Sequence, residues 1–252
     1  MNVNKAKEKL RRGETVFGCM CIMHHPSVVE ILGYAGFDVV CIDGEHAPLD
    51  RQTCEHMVRA AECVGITPIF RSALNHPDEI LPYLDTGITG VMVPHVNSAE
   101  EAQRVVDAVK YAPLGKRGMT PGRANAYAVS GVPTKRYIEA SNRETLVLVQ
   151  IEEAEAVRNL PEMLEINGID VYVIGPGDLS HSLGYSGQRE HPEVLKVIDN
   201  IIDQVLEAGK TVGTSAGLDA TKRYIEKGVR YCVWGDARLF HASAHSLISA
   251  LR

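Results

Sequence analysis

Short apolar runs rich in valine and isoleucine alternate with longer amphipathic stretches from about residue 15 to the C-terminus, and this alternation limits the folds open to the chain. The runs lie at about 15–22, 38–43, 67–71, 89–93, 145–151, 170–174, 210–214 and 231–234, each followed by a helix-like segment. Strands that are apolar on both faces need cover on both, and a helical crossover after every strand makes the sheet parallel. Eight such units in 252 residues predict a single α/β domain over 1–252, a closed eight-stranded parallel (β/α)8 barrel. The alternative is an open doubly wound sheet. Its glycine-rich phosphate turn is missing from the first strand–helix junction.

Local signals agree with the count. Ser98 followed by Glu101 reads as a capping box ahead of Ala102, Val105, Val106 and Val109, which share a helical face. Pro192 suits a first helical turn, Val194, Ile198, Ile201 and Val205 form a stripe, and Gly209 stands where a left-handed terminal residue is wanted. A charged N-terminal helix is expected at about 1–13. Residues 112–133, rich in glycine, proline, arginine and tyrosine, exceed an ordinary connection and read as a functional loop over the barrel mouth.

Barrel chemistry gathers at strand C-terminal ends, and the residues that close these runs are strongly polar. They are His24-His25, Asp43-Gly44-Glu45-His46, Arg71, Pro94-His95, Gln150 with Glu152, Gly175-Pro176-Gly177-Asp178, Thr214-Ser215 and Gly235-Asp236. Glu152 and Asp178 follow adjacent runs, so in a parallel sheet both carboxylates leave the same edge and can share one divalent cation. Either acid alone reads as a solvated carboxylate. Together, without an imidazole or thiolate cluster, they favour Mg²⁺ or Mn²⁺. His46 has acidic neighbours that could orient it as a general base, although most lone histidines have no such role. Arg71 could hold a substrate carboxylate or an oxyanion, or could pair with a local acid. Gly175 and Gly177 suit close approach of an anion to the backbone and suit a tight turn equally well. Gly213-Thr214-Ser215-Ala216-Gly217 is a weak phosphate signal, and His24, His25 and His95 read as hydrogen-bonded structural histidines.

The net charge of -6 is spread along the chain without a polybasic block, which disfavours nucleic-acid and anionic-membrane partners and leaves small molecules. No apolar stretch approaches the ~20 residues of a membrane span, and the N-terminus opens into a charged helix, so a cytoplasmic location is expected. Six cysteines lack a CxxC pair, and four lie inside strand runs, which reads as reduced core packing.

In combination these residues resemble the HpcH/HpaI family of class II, metal-dependent pyruvate aldolases, from about residue 15 to the last helix. The motifs are Phe37-Asp38 through Ile42-Asp43-Gly44-Glu45-His46-Ala47-Pro48, Val93-Pro94, Tyr111-Ala112-Pro113 through Arg117-Gly118, Leu148-Val149-Gln150-Ile151-Glu152, and Ile174-Gly175-Pro176-Gly177-Asp178-Leu179-Ser180. The resemblance implies a TIM barrel assembled as a homohexamer. It implies reversible cleavage of a 4-hydroxy-2-oxo acid, of the heptanedioate or 2-keto-3-deoxy-sugar-acid type, to pyruvate and an aldehyde through a metal-stabilised enolate. By position it makes Glu152 and Asp178 the ligands of Mg²⁺ or Mn²⁺, with Co²⁺ as a further candidate. Arg71, Gln150 and the backbone of Gly177 and Asp178 contact the keto acid, and His46 transfers the proton. Asp43 and Glu45 belong to the surrounding polar shell, and Asp85 reaches a neighbouring subunit's site. Gly177 stands where alanine is more usual, and His24-His25 falls in a variable loop that bears on the aldehyde. No lysine follows a strand where a Schiff base would need one. The rival readings are an acyl-CoA lyase of the citramalyl or malyl type, for which no basic nucleotide site is visible, an oxaloacetate decarboxylase, and a non-catalytic sensing or assembly barrel.

Overall fold

The computed structural model describes residues 3–252, so the first two residues of the expected N-terminal helix lie outside the described part. Its first half runs α1 (Lys5–Arg11), β1 (Val16–Cys21), α2 (Pro26–Tyr34), β2 (Val39–Asp43), α3 (Arg51–Val64), β3 (Thr67–Arg71), α4 (Pro77–Leu84), β4 (Gly90–Val93) and α5 (Ala99–Val109). The second half runs α6 (Thr134–Glu144), β5 (Leu146–Ile151), α7 (Ala154–Leu164), β6 (Val171–Ile174), α8 (Pro176–Ser182), α9 (Pro192–Glu207), β7 (Val212–Thr214), α10 (Leu218–Lys227), β8 (Tyr231–Gly235) and α11 (Asp236–Leu251). All eight strands are parallel, pair in sequence order and close into a barrel through β8 against β1.

Side chains alternate across each strand, so parity sorts the residues into two packing layers. Val39 and Cys41 of β2, Ile69 of β3, Leu146 and Leu148 of β5, and Val171 and Val173 of β6 pack together inside the barrel. Their neighbours Val40, Ile42, Phe70, Val147, Val149 and Tyr172 pack outward under the helices. The helical stripes behave as their spacing predicts. Val194, Ile198, Ile201 and Val205 are buried, and Gly209 takes φ +68° beyond the end of α9. At α5 the Ser98 side chain accepts from the Glu101 N–H, while the Glu101 carboxylate accepts from the Asn97 N–H one residue upstream of the cap.

The N-terminal ends of the strands are plugged by α1. Ala6 and Leu10 pack onto the inner core, the Asn4 side chain accepts from the Lys7 N–H at 3.0 Å, and Lys7 Nζ bonds Asp170 at 2.8 Å. All six cysteines are free and only Cys63 is exposed, as a reduced core predicts. No helix among the described residues is long and apolar enough to cross a membrane.

Two features depart from the regular pattern. The 112–133 segment joins α5 to α6, and its contacts with the end of α4 set it at the plugged end and not over the mouth. Arg117 bonds Asp85 beyond α4 at 3.1 Å, and Arg123 donates to the Thr86 carbonyl at 2.9 Å. A cavity of about 630 Å³ opens there among Asn4, Thr67, Thr89, Arg117 and Arg123. The second departure is α11, in which only Asp236 is buried. Its residues Phe240, Leu247, Ile248 and Leu251 are exposed, as are Phe17, Ile22 and Met23 on the body of the barrel.

Candidate active site

Strand parity carries the site upward from the core. Counting by twos from Val39, Ile69 and Leu146 leads to Asp43, to Arg71, and to Gln150 and Glu152, so these polar residues form the last inward layer at the mouth. Asp43 and Arg71 are direct register partners on β2 and β3. Arg71 Nε and Nη2 donate to the two Asp43 oxygens at 2.9 and 2.5 Å, and Nη1 lies 3.0 Å from Glu45 Oε2. Burial by itself raises the Asp43 pKa, but the Arg71 bonds and the Glu45 and His46 amides outweigh it and hold the carboxyl below its ordinary value. Burial likewise opposes charge on Arg71, and Asp43 reverses the balance. The sequence left Arg71 between pairing with a local acid and binding an anion. It pairs with two acids, and its hydrogen bonds to Asp43 commit only two of its five N–H groups.

Glu152 is 2% exposed. It accepts from Gln150 Nε2 at 2.7 Å and from the His95 N–H at 2.9 Å. Burial pushes its pKa up to about 7, His95 pulls it down, and the nearby Glu45 and Asp178 carboxylates push it up again. Gly175 has φ −99°, open to any residue, but its lack of a side chain is required. A Cβ there would stand 2.5 Å from Glu152 Oε2. Asp178 follows on the first turn of α8 with its side chain exposed.

His95 lies between Glu45 and Glu152, 3.4 and 3.6 Å from their oxygens, the Asp178 charge is close enough to raise the Glu152 pKa, and buried Gln150 Oε1 has no hydrogen-bond partner among the described residues. An all-oxygen set of this kind fits a hard divalent cation held by Glu152 and Asp178, with positions left for water and substrate. No group of three or more His, Cys, Asp or Glu side chains that could hold a metal ion is assembled among the described residues, so Glu152 and Asp178 would have to share a cation with water or substrate.

The structure places the remaining candidates unevenly. The His46 N–H bonds Asp43 Oδ1 at 3.3 Å, while its ring is 60% exposed, with Nε2 3.8 Å from Glu45, beyond hydrogen-bond reach. Among the described residues no carboxylate orients the imidazole through a hydrogen bond. Asp85 ends α4 at the opposite face of the barrel, bonded to Arg117, and does not meet the other candidates. His25 caps α2 by accepting from the Ser27 N–H, as the structural reading held. Asp236 ties the loop after β1 by accepting from the Ile22 and Met23 amides at 3.0 and 2.9 Å.

His95 is the residue that the sequence undervalued. Its φ of +53° is left-handed, a conformation that costs a non-glycine residue roughly 1–2 kcal/mol. The turn aims its N–H at Glu152 and its ring at Glu153, with Nδ1 2.8 Å from Oε1, and at Glu45, with Nε2 3.4 Å from Oε1. Burial lowers its pKa, but Glu152 and the other acids raise it overall. Its position directly after β4 was the available signal.

A closed (β/α)8 barrel with a buried arginine–carboxylate layer and an acidic mouth at the strand C-terminal ends has the form of a barrel enzyme. Comparison makes the class specific. The description HpcH/HpaI aldolase/citrate lyase matches residues 17–238, and the chain belongs to that family. It is 37% identical over 246 residues to the 4-hydroxy-2-oxo-heptane-1,7-dioate aldolase of Escherichia coli (strain ATCC 8739), covering 97% of this chain and 93% of the relative. Among solved structures, an HpcH/HpaI aldolase from Desulfitobacterium hafniense superposes with a TM-score of 0.91 at 30% identity, covering 97% and 95% of the two chains. The citrate synthase SbnG superposes at 0.87 with 28% identity, covering 97% and 96%.

Proposed function

We propose that this protein is a class II pyruvate aldolase, a carbon–carbon lyase that reversibly cleaves a 4-hydroxy-2-oxo acid to pyruvate and an aldehyde. The observation that carries the reading is buried Glu152, held by Gln150 and the His95 amide beside the unpartnered oxygen of Gln150, with the Glu45 and Asp178 charges near enough to raise its pKa. Mg²⁺ or Mn²⁺ held by Glu152 and Asp178 would polarise the 2-keto oxygen and stabilise the negative charge released as the C3–C4 bond breaks.

The protein's own groups supply the rest. Asp43 and Glu45 fix the Arg71 guanidinium, so its uncommitted N–H groups meet the keto acid without reorganisation. Gln150 orients Glu152 through its amide and leaves its carbonyl oxygen toward the ligand. The Gly177 and Asp178 amides precede the first recorded hydrogen bond of α8, from the Leu179 N–H to the Gly175 carbonyl, and offer donors for the keto-acid carboxylate. The exposed His46 ring takes the C4 hydroxyl proton as the bond breaks, and C3 of the pyruvate is protonated afterwards.

The protein works as a homo-oligomer, a hexamer by its resemblance to the family. The apolar residues that α11 and the barrel flank leave exposed support this, because contiguous apolar surface is normally covered by a partner. In such an assembly Asp85 and the 112–133 segment would meet another subunit's mouth. The free cysteines fit a reducing, cytoplasmic setting.

The test is pyruvate release from 4-hydroxy-2-oxo acids, followed through NADH consumption by lactate dehydrogenase, before and after treatment with excess EDTA. Activity should vanish with chelation and return with Mg²⁺ or Mn²⁺. Full activity in EDTA would remove the metal role.

A further inference from the structure

One cation near the mouth belongs to neither a strand end nor the family motifs quoted above. Arg189 lies in the segment between α8 and α9, and its guanidinium rests against Gly177: a Cβ on Gly177 would meet Arg189 Nη2 at 2.9 Å, Cζ at 3.3 Å and Nε at 3.4 Å. The glycine that replaces the family's usual alanine thus makes room for this side chain. The segment is held in place by the Tyr185 N–H on the Ser180 carbonyl at 2.7 Å, the His191 N–H on the Gln188 carbonyl at 3.0 Å, and a Tyr185–His191 ring stack at 4.0 Å. Arg189 is exposed and forms no ion pair within 4.0 Å among the described residues, whereas Arg71 is already matched by Asp43 and Glu45.

We infer that Arg189 is a substrate-binding residue that recognises a carboxylate at the Gly177 edge of the mouth. The inference rests on the aldolase reading. A planar guanidinium with no acid partner among the described residues, lying on the backbone that the aldolase reading sets beside the keto acid, is matched to a planar carboxylate by charge and by its donor fork. That carboxylate belongs to one of two places on the substrate: the 2-keto acid itself, or the far end of an aldehyde half that carries a second acid group.

The test compares wild type, Arg189→Gln, Arg189→Lys, Gly177→Ala and a neighbouring control, Glu190→Gln, all with Mg²⁺. Each is assayed in the condensation direction with pyruvate and either succinic semialdehyde or the neutral butanal, and pyruvate binding is measured by calorimetry. R189Q should raise a KM about tenfold or more, with kcat changed less, and R189K should recover part of it. A weaker pyruvate Kd and a higher pyruvate KM with both aldehydes would place the contact on the keto acid. A higher KM for succinic semialdehyde with pyruvate Kd unchanged would place it on the aldehyde. G177A, which displaces the guanidinium, should shift the same constant in the same direction. If R189Q matches wild type in every KM and in pyruvate Kd, the assignment of Arg189 is overturned while the aldolase reading stands. A wild type that forms no aldol product overturns the aldolase reading, and the pyruvate Kd of R189Q still tests Arg189.

Discussion

Gly175→Ala tests whether the position of the Glu152 carboxylate, and not its mere presence, sets activity. The backbone at φ −99° accepts alanine without strain. The new Cβ would lie 2.5 Å from Glu152 Oε2 and 2.9 Å from Glu152 Cβ, and ordinary contact begins near 3.4 Å. The carboxylate must therefore move by about 0.9 Å. That shift disturbs the bond from Gln150 at 2.7 Å, and the bond from the His95 amide at 2.9 Å changes with it. A misplacement of about 1 Å at a reacting centre costs roughly 100-fold in rate, whereas overpacking costs about 1–3 kcal/mol of stability. For a chain of this size each kcal/mol lowers Tm by about 2–4 °C. The coupled pyruvate assay should thus show kcat/KM falling roughly 100-fold, while circular dichroism shows a folded protein with a modestly lower Tm. A folded variant whose kcat/KM stays within roughly threefold of wild type would refute the claim that Glu152 geometry governs the reaction.

Other perturbations separate the remaining roles. Asp43→Asn removes one partner of a buried pair, which costs about 3–5 kcal/mol in general, and retained Glu45 should keep the loss near the lower figure in urea unfolding. Since Asp43 is held below its ordinary pKa, its pairing contributes stability that is complete above the unfolded value and is lost as pH falls toward the folded value. D43N should therefore show a shallower acid-side decline than wild type, and an unchanged slope would contradict the pairing argument. His46→Ala should lose turnover yet bind pyruvate by calorimetry, and normal cleavage by the variant would exclude His46 from proton transfer. Sedimentation of wild type should show an oligomer that Phe240→Ser with Leu247→Ser weakens, whereas a wild-type monomer at micromolar concentration would oppose the assembly reading.

Much of this molecule was legible along the chain. Strand alternation and helix spacing act over a few residues, so the apolar runs and the stripes between them already specified eight units and the polar residues that close each run. The same runs put Asp43, Arg71, Gln150 and Glu152 at strand C-terminal ends before any distance was known. What only the tertiary structure decided were the meetings between distant segments. Closure of the barrel set Asp43 against Arg71, turned His95 into Glu152, sent Asp85 and residues 112–133 to the plugged end, and left α11 without cover. Arg189 reaches Gly177 through a loop without periodicity, so nothing local announced it. A chain's period dictates which way each side chain leaves its element, but what that side chain meets depends on long-range packing, which a single sequence does not carry in any one segment.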